Sequence, residues 1–497
     1  MTALPEVGAP ELDTPVPLGA DLGTMVKRGL KWAFAGAFAV RFGTFLTGLI
    51  LARLLSPKEF GVYAVAFVAF LITSSVNDMG IEATLVRWPH DLDEVAPTAT
   101  TVVMAFSTAL FLVFWFAAPA FANAFNTPSG VGVIRLMSVG VIISGVFTVN
   151  SAVNTRTLRV HVRSSAEMVA TVVGLCTTIV LAKAGLGAYS LAWGTIGGNL
   201  LVGIALLVWA PIRYRPGFHV PTARALLQHG LPLAGAGLLF VATLNTDNIV
   251  VGHYLGPVEL GFYSLAWNVS SWPVVIFSGA VSMVSLSGFA KLQHDRDELN
   301  RAFAKSVGAV VAVTLPFCVL LAVLSLPTIH VLYGQKWAHS ATALTYLAIL
   351  AAMRVIALIA GEVLIAVGRG RTVLGLQGLW FVALIPTLII GARLEGIAGV
   401  GLGHVVVAAA IVLPAFAWAL HRNGFSLRLI GTAAAWPAAG ALCIAVVGTV
   451  VAHLSLSDIA RLAVAVPLGL AVYMFVIRSM WVPPLRAQRL KRKQMTK

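Results

Sequence analysis

Apolar runs of about twenty residues, broken by short polar turns, repeat along almost the whole chain. A helix needs about 20 mostly apolar residues to cross roughly 30 Å of hydrocarbon. On that spacing the pattern predicts spans near 29–54, 58–77, 96–119, 130–154, 164–183, 187–210, 226–251 and 258–284, then 303–325, 338–367, 372–392, 396–420, 429–453 and 459–478. The expected fold is an all-α polytopic membrane protein with 14 transmembrane helices, in two six-helix lobes plus two C-terminal helices. The lobes are read from a repeat. "LARLLSPKEFGVYAVAF" at 51–67 aligns without a gap to "VGHYLGPVELGFYSLAW" at 251–267, sharing Leu55, Pro57, Glu59, Gly61, Tyr63 and Ala66 with Leu255, Pro257, Glu259, Gly261, Tyr263 and Ala266. Chance accounts for roughly one or two such identities. Six spans separate the copies, which implies a parallel repeat about an axis along the membrane normal. A second echo, "GLGAYSL" at 185–191 and "GIAGVGL" at 396–402, opens the sixth span of each unit.

Composition fits this pattern: 59% of the 497 residues are hydrophobic, 11% are charged, and the mean hydropathy is +0.90. The net charge of +15 reads as basic cytoplasmic loops, not as a nucleic-acid surface. With the N-terminus inside, twenty-five of the 34 Lys and Arg fall in inner segments and six in outer loops, leaving Arg41, Arg135 and Arg354 within spans. This asymmetry supports fourteen spans with both termini cytoplasmic. Residues 1–26, acidic and Pro-containing, are expected to form a disordered tail and lack the layout of a secretory signal. The lobes are placed at 27–215 and 216–424, helices 13 and 14 at 425–480, and a basic tail suited to anionic lipid head groups at 481–497. Cys176, Cys318 and Cys443 lie in apolar runs and suggest neither a metal site nor a disulfide framework.

The turn "ARLLSPKEFGVYA", the following "DMGIEATLVR" at 78–87 and "NTDNIVVGHYLGPVELGFYSLAWNVSSWP" at 245–273 together resemble the polysaccharide transporter (Wzx-like oligosaccharide flippase) family of the multidrug/oligosaccharidyl-lipid/polysaccharide exporter superfamily. The resemblance spans about residues 27–480. It implies movement of a polyprenyl-pyrophosphate-linked sugar repeat unit from the cytoplasmic to the outer leaflet, with membrane lipids around it and a polysaccharide polymerase or glycosyltransferases as candidate partners. It also implies export coupled to ion entry. Composition and periodicity alone support a two-lobed transporter.

A charge at mid-membrane costs about 2.5–3.5 kcal/mol on insertion scales, so a retained one should face a cavity or a partner. Arg41, Arg135 and Arg354 are the candidate substrate-binding residues, because guanidinium forks grip phosphate oxygens bidentately. Internal pairing or snorkelling is the plainer reading, above all for Arg135 near the outer interface. Asp247, flanked by Asn245 and Asn248, is the candidate ion-coupling residue. Carboxylate and amide oxygens can hold Na⁺, and a carboxylate in a dry pocket can take H⁺. Glu362, two turns from Arg354, could share its face as a gating or a structural partner. Asp78 and Glu82 read as a solvated turn, and Trp193, Trp267, Trp272 and Trp380 read as interface or core aromatics able to stack on sugars. No cofactor is expected beyond a coupling ion.

Enzyme readings lack their motifs: there is no P-loop or HExxH, and "GRG" at 368–370 is too short to cradle phosphate. Two rivals remain, a cation-coupled multidrug exporter of the same superfamily and a membrane polysaccharide polymerase or ligase. The short outer loops disfavour the latter.

Overall fold

Serine, proline and glutamate set the start of the first repeated helix. The Ser56 N–H and hydroxyl both donate to Glu59 Oε2, at 2.7 and 2.8 Å, and the Glu59 N–H reaches back to Ser56 Oγ at 3.3 Å. This is a capping box with proline at the first helical position, and it opens α1 (Pro57–Asn77). In the second copy Gly256, at φ +85°, ends α7 (Val220–Leu255), and Pro257 begins α8 (Pro257–Leu292) at once. A side chain at Gly256 would be strained in that left-handed conformation.

A computed structural model describes residues 43, 47–77, 80–86, 88, 91–157, 160–210, 214–292 and 295–495. Between α1 and α7 lie α2 (Ile81–Val86), α3 (Leu92–Ala124), α4 (Val131–Arg156), α5 (Val160–Lys183) and α6 (Ala188–Val208). Beyond α8 come α9 (Arg296–Val323), α10 (Ser325–Tyr333), α11 (Ser340–Ala366), α12 (Gly370–Val407), α13 (Leu413–Arg422), α14 (Leu427–Ala452) and α15 (Asp458–Met495). Ten segments of the described residues are long and apolar enough to cross a membrane. The protein is all-helical and multi-pass.

Each expected span from the second onward overlaps a described helix. The first is described only at residue 43 and over 47–54, so Arg41 lies outside the described residues, as do Asp78 and the tail 1–26. The expected division near 392–396 is a break inside α12, where Glu395 (φ −135°) and Gly396 (φ +60°) leave helical geometry. A π-helical turn, Ala408–Val412, then leads into α13. The short helices α2 and α10 were not expected: each is too brief to span a bilayer, so a search for long apolar runs passes over it. The last helix also runs on through the basic segment to Met495 rather than stopping near 478.

α1 packs against α4, α7 and α8, α8 against α11, and α12 against α7 and α11. These elements share one buried core that includes Ala52, Val65, Leu260, Tyr263, Leu347 and Val400. The α14–α15 pair packs on α9 through Leu320, Ile444 and Tyr473, whose hydroxyl donates to the Ala312 carbonyl at 2.6 Å. Large apolar side chains such as Phe116 and Leu442 point outward, as lipid contact requires. In that setting helices associate through close packing and polar bonds, because lipid is as apolar as leucine.

Candidate functional site

Asp247 is 2% exposed, buried on the face of α7 that meets α8 and α12. The Tyr263 hydroxyl, from α8, donates to Asp247 Oδ2 at 2.8 Å, and the Asn248 backbone N–H donates to Oδ1 at 2.8 Å. His404, from α12, brings its Nε2 to 3.8 Å from the same Oδ2. One helical turn after Tyr263, Trp267 lies against the His404 ring at 5.6 Å between centroids. The Arg354 guanidinium, from α11, sits 5.0 Å from the centre of the Trp267 ring. Arg354 interacts electrostatically with Asp247, Tyr263 and His404. Four helices of the C-terminal half thus converge a carboxylate, a phenol, an imidazole, an indole and a guanidinium. Such an assembly can hold an anion at the guanidinium and exchange a small cation at the carboxylate.

The N-terminal half carries a neutral version. Tyr63 on α1, the partner of Tyr263 in the repeat, shares a hydrogen bond of 2.8 Å with Thr195 on α6. Thr47 stands where Asp247 stands in the other copy, and its hydroxyl donates to the Gly43 carbonyl at 2.7 Å. The α6 and α12 counterparts follow from backbone geometry. Gly187 (φ 53°, ψ −127°) and Gly396 (φ 60°, ψ −137°) adopt one conformation at equivalent turns, so Thr195 and His404 occupy matching positions. This corrects the expected register of the second echo by two residues: small apolar residues fill both stretches, and only the left-handed glycine marks the true match.

At one end of the molecule the two repeated turns pack on each other. A Cβ added to Gly61 would fall on the Pro257 carbonyl, and one added to Gly261 would fall on the Pro57 carbonyl. Beside this contact Trp337 is fully buried, donates from Nε1 to the Ala52 carbonyl at 2.7 Å, and meets Phe60 and Phe262 edge-on. Lys336 Nζ donates to the carbonyls of Arg53 and Leu55 at 3.0 and 2.8 Å, while Arg53 donates to those of Val331 and Leu332. Partial burial lowers the Lys336 pKa, and the Glu59 carboxylate opposes that shift. Glu259 pairs with His339 at 3.0 Å. These contacts close this end.

The expected site residues are distributed unevenly. Asp247 and Arg354 fall in one cluster, the carboxylate buried and the guanidinium half-buried beside Trp267. The Asn248 side-chain amide faces Asn245 at 3.5 Å, and that of Asn245 donates to the Val241 carbonyl, so both amides serve their own helix. Arg135 lies 5.3 Å over the Trp115 ring and donates from Nε to the Trp115 carbonyl at 3.2 Å, away from the cluster. Glu362 is half-buried and makes no ion pair among the described residues. Glu82, expected in a solvated turn, accepts from Ser151 Oγ at 2.7 Å and pairs with Arg163 at 3.4 Å, tying α2 to α4 and α5. His404 went unnoticed in the sequence; its signal was a lone histidine in the apolar run "GLGHVVV".

The arrangement of helices matches that of solved transport proteins. The lipid II flippase MurJ, in an inward closed conformation, aligns with a TM-score of 0.75 over 91% of this chain and 99% of that one, at 14% identity. An inward-facing multidrug resistance MATE family transporter of the MOP superfamily aligns with a TM-score of 0.60 over 77% of this chain and 94% of that one, at 17% identity. At such identities the likeness is one of fold, and it sets the class: a polytopic helical protein with the architecture shared by these two transporters. Within that class the chain belongs to the polysaccharide biosynthesis protein family, whose model matches residues 50–342. It is 26% identical to the succinoglycan biosynthesis transport protein ExoT of Rhizobium meliloti (strain 1021), over 65% of this chain and 66% of that protein. It is 23% identical to the lipopolysaccharide biosynthesis protein WzxC of Escherichia coli (strain K12), over 76% of this chain and 77% of that protein.

Proposed function

We propose that this protein is a flippase that carries polyprenyl-pyrophosphate-linked oligosaccharide repeat units from the inner to the outer leaflet of the cytoplasmic membrane, for polysaccharide biosynthesis. The observation that carries this reading is the reciprocal contact of the repeated turns, Gly61 on Pro257 and Gly261 on Pro57, which shuts one end of a two-fold framework. In this reading two six-helix lobes, 27–215 and 216–424, rock about the membrane normal between inward-open and outward-open states. Helices α14 and α15 complete fourteen spans, both termini are cytoplasmic, and the closed end faces outward. The MurJ fold and the biosynthetic roles in the names of ExoT and WzxC support it. The substrate identifies the neighbours it would need: glycosyltransferases that build the repeat unit and a polymerase that consumes it.

Arg354, together with Arg41, grips the pyrophosphate. Asp247 takes the coupling ion, Na⁺ or H⁺, with Glu362 on its path. The test is a flipping assay in proteoliposomes with a fluorescent lipid-linked oligosaccharide. The wild type should expose the label to the outer medium, and Arg41→Ala, Arg354→Ala and Asp247→Ala should each slow it. Full transport by all three variants at normal expression would refute the site. Glycan bond formation would point to a polymerase, and efflux of an organic cation to a drug exporter.

A further inference from the structure

His404 is a buried titratable group with no role in the reading above. It is 5% exposed, and its Nε2 has no hydrogen-bond partner among the described residues. That nitrogen lies 3.8 Å from Asp247 Oδ2, beyond hydrogen-bond range yet aimed at the carboxylate. A buried polar atom without a partner is destabilising, so its retention points to a second state in which it is paired.

The groups around the carboxylate define what that second state contains. Oδ2 already accepts from the Tyr263 hydroxyl and Oδ1 from the Asn248 N–H. The charged group facing the pair from α11 is Arg354, and Tyr346 of the same helix packs one turn away at Gly401. From α8 come Tyr263 and the Trp267 ring. A Na⁺ ion needs several oxygens turned toward it. Here Asp247 meets an O–H donor, an N–H donor, an imidazole and a guanidinium, a set that suits a proton and opposes a metal cation. The neutral half of the repeat has Thr195 at the His404 position and Thr47 at the Asp247 position. The C-terminal half alone holds both titrating groups.

We propose that His404 is the second member of the coupling site: it shares one proton with Asp247, and its imidazole makes the site select a proton over Na⁺. This rests on Asp247 as the coupling residue. A proton entering from water forms an N–H bond at Nε2 (or an O–H bond at Oδ2) and hydrogen-bonds to the other atom; the same bond breaks when the proton returns to water on the other side, and no heavy-atom bond changes. A charge-assisted bond is about 2.7–2.9 Å long, so bridging draws α12 toward α7 by about 1 Å. The π-helical turn at Ala408–Val412, directly beyond His404, supplies the slack for that movement. The added proton also cancels the negative charge facing Arg354, which ties the ion to the residue proposed to hold phosphate.

Binding is read without transport, by pH titration of tryptophan fluorescence on the full-length protein in lipid nanodiscs. Trp267→Phe isolates the contribution of the indole beside His404. The expected result is a Trp267-dependent pH step in the wild type that disappears in His404→Gln and in Asp247→Asn. Replacing choline chloride with NaCl at constant ionic strength should leave the signal unchanged. His404→Asn is the second variant if the glutamine protein does not fold. In proteoliposomes with an imposed pH gradient, the gradient-dependent part of the proton flux should fall at least 10-fold in His404→Gln. A wild-type pH step that persists in the histidine variants, or a saturable Na⁺ response lost in Asp247→Asn, would overturn the proposal. Because the titration needs no substrate, a failed flipping assay would count against the transport reading and leave this result standing.

Discussion

Tyr63 and Tyr263 hold equivalent places in the two halves and point at different chemistry. Tyr63 shares a hydrogen bond with Thr195, and the neighbouring repeat position is Thr47. Tyr263 donates to Asp247, with His404 at the position of Thr195 and Arg354 over the adjoining Trp267. The prolines that open the repeated helices, the left-handed Gly187 and Gly396 and the reciprocal turn contact are common to both halves, whereas among the described residues the buried carboxylate–imidazole pair lies in the second. A repeated framework lets two similar bundles close on each other. A titratable pair placed at this position in one bundle and not at its counterpart gives the closing motion something to respond to.

If the framework is symmetric, breaking either side of the turn contact should be equally severe. Gly61→Val and Gly261→Val each drive a side chain into the opposing proline carbonyl, and backbone cannot yield as a flexible side chain can. Both variants should lose at least about 100-fold in flipping rate, and acrylamide should quench Trp337 more readily as the closed end opens. Should one of the pair transport normally, the contact is not reciprocal in function. The charge asymmetry is tested next. Asp247→Asn should cut ion-driven flipping about 10- to 100-fold, because a buried carboxylate is kept for function. Thr47→Val, at the matching position, should stay within about twofold, since it loses one neutral bond to its own helix. Equal effects would mean that the ion is not confined to the second half.

The helices were legible because each is a long apolar run between polar turns, and the repeat was legible because Pro, Gly and Tyr recur at fixed spacing. α2 and α10 were not, since nothing in a six- or nine-residue helix sets it apart from a loop in a membrane-scale pattern. Asp247 and Arg354 stood out individually as charges within spans. Their meeting could not be read, because more than a hundred residues separate them and packing of α7, α8 and α11 brings them together. The amides of Asn245 and Asn248 looked like ion ligands from adjacency in sequence, but at helical spacing they fall beside each other rather than beside Asp247. His404 could have been found by carrying the repeat past Gly396 in the register fixed by the left-handed glycine.

The tyrosines give a smaller contrast. Tyr263→Phe removes a bond to a carboxylate, at a cost of about 1.5–3 kcal/mol, whereas Tyr63→Phe removes a neutral bond of about 0.5–1.5 kcal/mol. Thermal unfolding in detergent should place the two in that order. A reversed order would mean that Asp247 is not ionised when Tyr263 holds it.

The smallest effect should separate Glu59 from Glu259, which are identical in the repeat and employed differently. Glu59 closes the capping box with Ser56. Gly256 in the second copy has no side chain to cap, so Glu259 is left to pair with His339, in a contact whose partners are 31% and 49% exposed. Caps contribute about 1 kcal/mol, and exposed ion pairs about 0–1 kcal/mol. Glu59→Ala should therefore lower the unfolding midpoint measurably, while Glu259→Ala, at a pH acid enough to protonate the His339 imidazole, should shift it by less and lose that shift in high salt. The salt dependence is the sharper discriminator, since screening weakens the ion pair and leaves the local cap largely intact. If Glu259→Ala proved the more damaging, the imidazole–carboxylate contact would be a clasp of the closed end, and the asymmetry between the halves would extend from the buried cluster to the gate.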